Sequence, residues 1–236
     1  LTAIDAAGLR STPATLTVYP GNRPPQVTIT APERALRFAV GDVVTLRGSA
    51  ADPDSGPMAD STISWRVILH HVPASNITQR HTHPFFSGTG NNLAMQAAPE
   101  PEDLDTTRLG YLEIQMTATE PGGPSTTITQ TLEPGRISLN FDSAPLPFLA
   151  KVNERELMMP ASLYVWPNQQ LIVSVPDVQT GLGDGRMRFD AWSDSQQRER
   201  TFRAPASAAT YRALFKSTSD SDAVQVYRIM LPLAAK

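Results

Sequence analysis

Four histidines, His70, His71, His81 and His83, fall within 14 consecutive positions of a 236-residue chain that has no cysteine. The stretch reads WRVILHHVPASNITQRHTHPF over residues 65–85. Neutral imidazole is a favoured ligand of zinc and copper, and the missing thiols leave nitrogen and carboxylate oxygen as the donors for such an ion. In a strand over 63–69, Ile63, Trp65, Val67 and Leu69 share a face that His71 continues, while His70 turns to the other side. Pro73 ends that strand. His81 and His83 stand at i and i+2 of an extended segment, so they project from one face with Cα atoms about 6–7 Å apart, which suits two imidazoles on one metal. The expected site is His81 and His83 with either His70 or His71, completed by water or a carboxylate and holding Zn or Cu. The competing reading is a set of rim histidines that hydrogen-bond to backbone and stack on Phe85, Phe86 or Trp65. That reading carries the greater weight, because a loop of nine residues separates the two pairs. Catalysis by these rings ranks last, since no nucleophile or orienting acid stands at a suitable spacing.

Hard-oxygen chemistry has two weaker sources. ADPDSG at 51–56 offers Asp52, Asp54 and the Ser55 hydroxyl on a tight loop, a start toward a calcium site, although the D-x-D-x-D-G run with its distal glutamate is missing. An Asx turn closing the loop is the weightier reading. PEPEDLDTT at 99–107 gathers Glu100, Glu102, Asp103 and Asp105 between prolines and reads first as a solvated loop. GLGDG at 181–185 and GTGNN at 88–92 mimic phosphate-cradling loops, but no βαβ unit surrounds either, so both read as turns. For sugars the relevant side chains are flat exposed aromatics. Trp65 reads as core; Trp192, sharing a face with Asp190 and Arg188, and Trp166, at a strand end before Pro167, are the candidate carbohydrate-binding residues.

The elements that position these groups are strands. Twenty-one prolines and fourteen glycines punctuate short runs of alternating apolar and polar residues. In YLEIQMTATE, Leu112, Ile114, Met116 and Ala118 face one way and Tyr111, Glu113, Gln115 and Thr117 the other, the period-2 mark of a half-buried strand. QVTITAP, DVVTLRGSA, TISWRVIL, QLIVSV, MRFDAW and TYRALF behave alike, and helices are expected to be few. The fold class is all-β, with tandem immunoglobulin-like β-sandwich domains. Breaks at PGNRPPQ (20–26) and LEPGRI divide the chain into 1–21, the last hairpin of a preceding β-domain, 22–135, a first sandwich, 137–216, a smaller sandwich, and 217–236, a C-terminal tail. Twenty basic and twenty-three acidic residues leave a net charge of −3 without a basic ribbon, which argues against nucleic acid as a partner. No apolar run approaches the roughly 18 residues of a membrane span.

The stretch NRPPQVTITAP…GDVVTLRGSAADPDSG resembles the opening of polycystic-kidney-disease-like β-sandwich domains, with matches at Asn22 to Pro25 and Asp52 to Asp54. ISWRVILHH…HTHPF followed by YLEIQMTATEPGG resembles the sandwich appended to secreted bacterial pyrroloquinoline-quinone-type glucose/sorbosone dehydrogenases, over about residues 22–135. Residues 137–216, with WSD and TYRALF, resemble the small repeat modules that follow it. The resemblance implies a noncatalytic accessory region of an exported bacterial protein, secreted or at the cell surface. Such a region spaces or docks an enzyme domain upstream in the same polypeptide, with weak binding of a glycan or another cell-surface component. The quinone-bearing propeller is not in this chain. A structural surface or fibre-forming protein, assembling through edge strands, and a metal-dependent enzyme using the histidines are the alternatives.

Overall fold

A computed structural model describes residues 1–180 and 185–218. Residues 181–184 of the expected turn at 181–185, and residues 219–236 of the expected tail at 217–236, lie outside the described residues. The first nine strands are β1 (Gln26–Ala31), β2 (Arg37–Phe38), β3 (Val44–Asp52), β4 (Gly56–Pro57), β5 (Ile63–His71), β6 (His81–Thr89), β7 (Asn92–Met95), β8 (Tyr111–Thr119) and β9 (Ser125–Pro134). In one sheet β3 pairs with β1, β4 and β7; the other runs β2-β9-β8-β5-β6. The second half contributes β10 (Ile137–Ala144), β11 (Leu149–Val152), β12 (Arg155–Met158), β13 (Ala161–Val165), β14 (Gln170–Ser174), β15 (Val178–Thr180), β16 (Arg186–Trp192), β17 (Glu199–Arg203) and β18 (Ala209–Ser217). Its sheets are β13-β10-β18-β16-β15 and β12-β11-β14-β17. The chain is all-β and sandwich-like, and the helical segments among the described residues are single 3₁₀ turns.

Side-chain alternation explains why these segments are strands. In β8, Leu112, Ile114, Met116 and Ala118 are fully buried, whereas Tyr111, Glu113, Gln115 and Thr117 are only half-buried. Their partners in β5 are Leu69, Val67, Trp65 and Ile63, so apolar side chains from adjacent strands meet on one face. With Phe38, Val44, Leu46 and Leu132 they form the first core. Burial of each such side chain contributes about 1.5–3 kcal/mol. Close approach of the two sheets needs Gly48 in β3, where a β-carbon would collide with the Met116 side chain and lie 2.7 Å from the Thr28 carbonyl oxygen. The second core gathers Leu139, Phe141, Phe148, Val173, Trp192 and Phe215.

The two cores interlock at their junction. Only Gly135 and Arg136 separate β9 from β10. The Arg136 guanidinium donates to the carbonyls of Thr107 and Gly110 and pairs with Glu133 at 2.8 Å. Leu104, from the loop before β8, joins the second core, and Trp166, just after β13, joins the first. Residues 1–21 are exposed and bridge back on themselves between Ile4 and Arg10.

Candidate metal centre

The 63–71 strand and the 81–89 strand are antiparallel neighbours, and their register sets His71 directly opposite His81 and Leu69 opposite His83. All three histidines therefore stand on one face at the end of the β5–β6 ladder. The His71 and His81 rings stack with centroids 5.0 Å apart. His83 meets both edge-on, at 4.9 Å from His71 and 5.1 Å from His81. His70 faces the opposite side, stacks on Tyr111 at 4.4 Å and lies 3.1 Å from Glu113 through Nε2. Of the two histidines ending β5, His71 is thus the one that joins His81 and His83.

A carboxylate completes the group. Glu102 Oε2 lies 3.2 Å from His71 Nδ1 and 3.1 Å from His81 Nε2. The donor atoms of His71, His81 and Glu102 all fall within 4.8 Å of one another. Zinc bound at 2.0–2.2 Å in a tetrahedron separates its ligand atoms by about 3.3–3.6 Å, a little more than the two nitrogen-to-oxygen distances here. The three residues offer two imidazole nitrogens and one carboxylate oxygen, a donor set that suits zinc or copper. His83 stands beside them as a fourth candidate donor. Among the described residues no serine or threonine hydroxyl hydrogen-bonds to any of the four histidines, and the partner of His81 Nδ1 is the Gln79 carbonyl at 3.2 Å.

Electrostatics and burial act together. His71 is 5% exposed, and removal from water pushes its imidazole below the ordinary range. The Glu102 carboxylate opposes that shift, and the neighbouring His83 and His81 reinforce it. The neutral, metal-binding form is therefore favoured at His71. Beside Glu102 an open cleft of about 530 Å³ runs between the two halves, with Asp103, Asp105 and Glu154 on its wall. The loop that delivers Glu102 is stiffened from within: Asp103 Oδ1 accepts from the backbone of Asp105 and Thr106, and the Asp105 carboxylate accepts from Ser75.

Two of the sequence expectations need correction. Trp192 is 2% exposed and Trp166 fully buried, so neither offers a platform to a sugar. In β16 the register slips between Phe189 and Ala191, leaving Asp190 as an extra residue and returning Trp192 to the side of Phe189. Arg200 covers the Trp192 ring at 5.6 Å. Trp166 sits edge-on against Phe38 and donates from Nε1 to the Thr107 carbonyl at 2.7 Å, a contact across the junction. Asp54, paired with Asp52 in the calcium expectation, is taken up by Arg23, whose backbone and guanidinium nitrogens meet both of its oxygens and hold its carboxyl below the usual range. Asp52 Oδ1 accepts from the backbone of Asp54 and Ser55, which is the Asx turn.

Glu102 is the member of the candidate site that the histidine spacing did not reveal. Its only sequence signal was membership of an acidic, proline-bounded loop, and nothing local couples that loop to a strand end more than twenty positions earlier. Among the described residues, no helix is long and apolar enough to cross a membrane. No protein-family model matches the chain, and no curated protein does. Among solved structures, the crystal structure of Spo0M, sporulation control protein, from Bacillus subtilis overlaps 84% of this chain and 91% of its own, at 9% identity and a TM-score of 0.33. We draw nothing on fold or function from a likeness at that level.

Proposed function

We propose that this chain is a noncatalytic, exported tandem region of immunoglobulin-like sandwiches that captures a divalent transition metal at His71, His81 and Glu102, with His83 as fourth donor. The observation that carries the reading is the convergence of two imidazole nitrogens on one carboxylate oxygen, at 3.2 and 3.1 Å. In the wider protein the region spaces or docks an enzyme domain, in keeping with the resemblance to polycystic-kidney-disease-like modules appended to secreted quinone-dependent sugar dehydrogenases. A noncatalytic role fits the surroundings of the histidines, where their partners are one another, Glu102, Glu113, Tyr111 and a backbone carbonyl. Fibre assembly through β6 is the weaker alternative, because Pro84 and a register shift opposite Val67–Ile68 interrupt that edge.

Titration calorimetry with zinc or copper chloride near pH 7.5 tests the reading. One ion per chain is the expected result, with uptake abolished in His81→Ala and sharply weakened in Glu102→Gln while strand content is unchanged. No uptake by the unmutated chain would sink it. The purified chain should also reduce no dye in a quinone-dependent sugar assay; turnover there would overturn the noncatalytic role.

A further inference from the structure

We infer that Asp105 is the positioning residue of the histidine–glutamate centre, clamping the loop that leads into His81 against the loop that carries Glu102. The inference rests on the metal reading above. Residues 72–80 join β5 to β6 and residues 96–110 join β7 to β8, so both segments lie outside the sheets and neither is placed by a ladder. Asp105 ties them together at one point. Its carboxylate accepts the Ser75 backbone N–H, at 3.1 Å through Oδ1, and the Ser75 hydroxyl donates to its Oδ2. Its own carbonyl accepts the Ala74 N–H at 3.0 Å. Toward Glu102, three residues earlier, the Asp105 backbone N–H donates at 2.8 Å to Asp103 Oδ1, which also takes the Thr106 N–H.

The far end of the clamped segment sets the His81 ring. Asn76, next to Ser75, caps the 3₁₀ turn Ile77–Gln79, and its Oδ1 accepts from the Thr78 backbone N–H and hydroxyl. The Gln79 carbonyl oxygen at the end of that turn lies 3.2 Å from His81 Nδ1, and Glu102 Oε2 lies 3.1 Å from His81 Nε2. The ring therefore stands between two acceptors, whereas a neutral imidazole has one N–H to give. With that proton on Nδ1 and donated to Gln79, the Nε2 lone pair and the Glu102 oxygen face each other. Such a pairing is unfavourable by itself, and a cation between the two atoms turns it into two ligand bonds. By tying the Gln79 side of the ring to the Glu102 side, Asp105 holds both acceptors in place. Asp105 is not itself a donor to the ion, because its oxygens are taken by Ser75 and it lies outside the His71, His81 and Glu102 group.

Zinc chloride titration of the full chain, with nuclear magnetic resonance of its histidine rings, provides the test. In the zinc-loaded protein His81 should coordinate through Nε2 and show an Nδ1–H proton sheltered from solvent by Gln79. Asp105→Ala should weaken zinc binding by about 10–100-fold, the range for losing an outer-shell partner. In that variant the His81 Nδ1–H should exchange too fast to be seen, a change that a loss of general stability would not confine to one ring. Asp105→Asn keeps an oxygen for the Ser75 N–H, so it should recover most of the affinity. Equal zinc affinity in Asp105→Ala and the unmutated chain, or coordination of His81 through Nδ1, would overturn the inference while leaving the centre in place. No zinc uptake by the unmutated chain would instead sink the metal reading and this inference with it.

Discussion

His71 is the residue on which the proposed centre turns, because it is the buried member of an otherwise accessible group. Its imidazole is pushed below the ordinary value near 6.5, chiefly by burial. The linkage sign follows from that direction. The unfolded chain binds a proton at His71 at a higher pH than the folded chain does, so stability rises with pH through the interval between the two values. The contribution is complete above the unfolded value and is lost as pH falls through the folded one. We therefore expect metal-free protein to lose urea resistance on acidification from about pH 7 toward 5, and His71→Leu to show a flatter profile over that interval. Identical profiles would remove His71 as the cause. Glu102→Gln keeps a hydrogen-bonding side chain but deletes the anionic donor. Zinc affinity should then fall by more than the roughly 10–100-fold typical of losing an outer-shell partner, with calorimetry as the measurement.

At the scale of the element, β16 shows how one inserted residue reverses a whole reading. Strict alternation sends Trp192 away from Phe189, but the extra residue Asp190 resets the phase and the indole enters the core opposite Ala213. Trp192→Ala is expected to cost about 3–5 kcal/mol, as for other large-to-small core changes. Denaturant unfolding followed through the second half of the chain checks this, and a loss under about 1 kcal/mol would contradict the buried placement. Deleting Asp190 should be comparably damaging, since it restores period 2 and turns Trp192 outward. Where the ladder is regular, sequence and structure agree in detail: β8 alternates from Tyr111 to Ala118 as its letters do. The i, i+2 spacing of His81 and His83 likewise places both rings on one face, 5.1 Å apart. The pairing of His71 with His81 is not legible in the sequence, because cross-strand register depends on the loop between them and on the bulge at Phe85, opposite Val67–Ile68. Glu102 was hidden for a related reason: its loop is positioned by contacts with the other half of the molecule.

For the molecule as a whole, the junction and the proposed metal centre share one loop. Residues 99–108 present Glu102 to the histidines, insert Leu104 into the second core, and use the Thr107 carbonyl to accept from Trp166 and Arg136. Glu100 of the same loop pairs with Arg203 in β17. A metal gripping Glu102 would fix one end of the strap that holds the halves together, so its stabilisation should be felt on both sides. Binding to the folded state alone contributes about 2.7 kcal/mol at a free concentration of 100 Kd, which for a chain of this size corresponds to a rise of about 5–11 °C in melting temperature. Zinc should also slow amide hydrogen exchange along 99–110 and at Trp166, well away from its ligands. Trp166→Ala removes the far anchor of the strap and leaves the ligands untouched. That variant should still bind zinc, yet unfold in two separated transitions of which zinc shifts only the one belonging to the first half. A single transition moved by zinc as in the unmutated chain would show that the halves are coupled by something other than this loop.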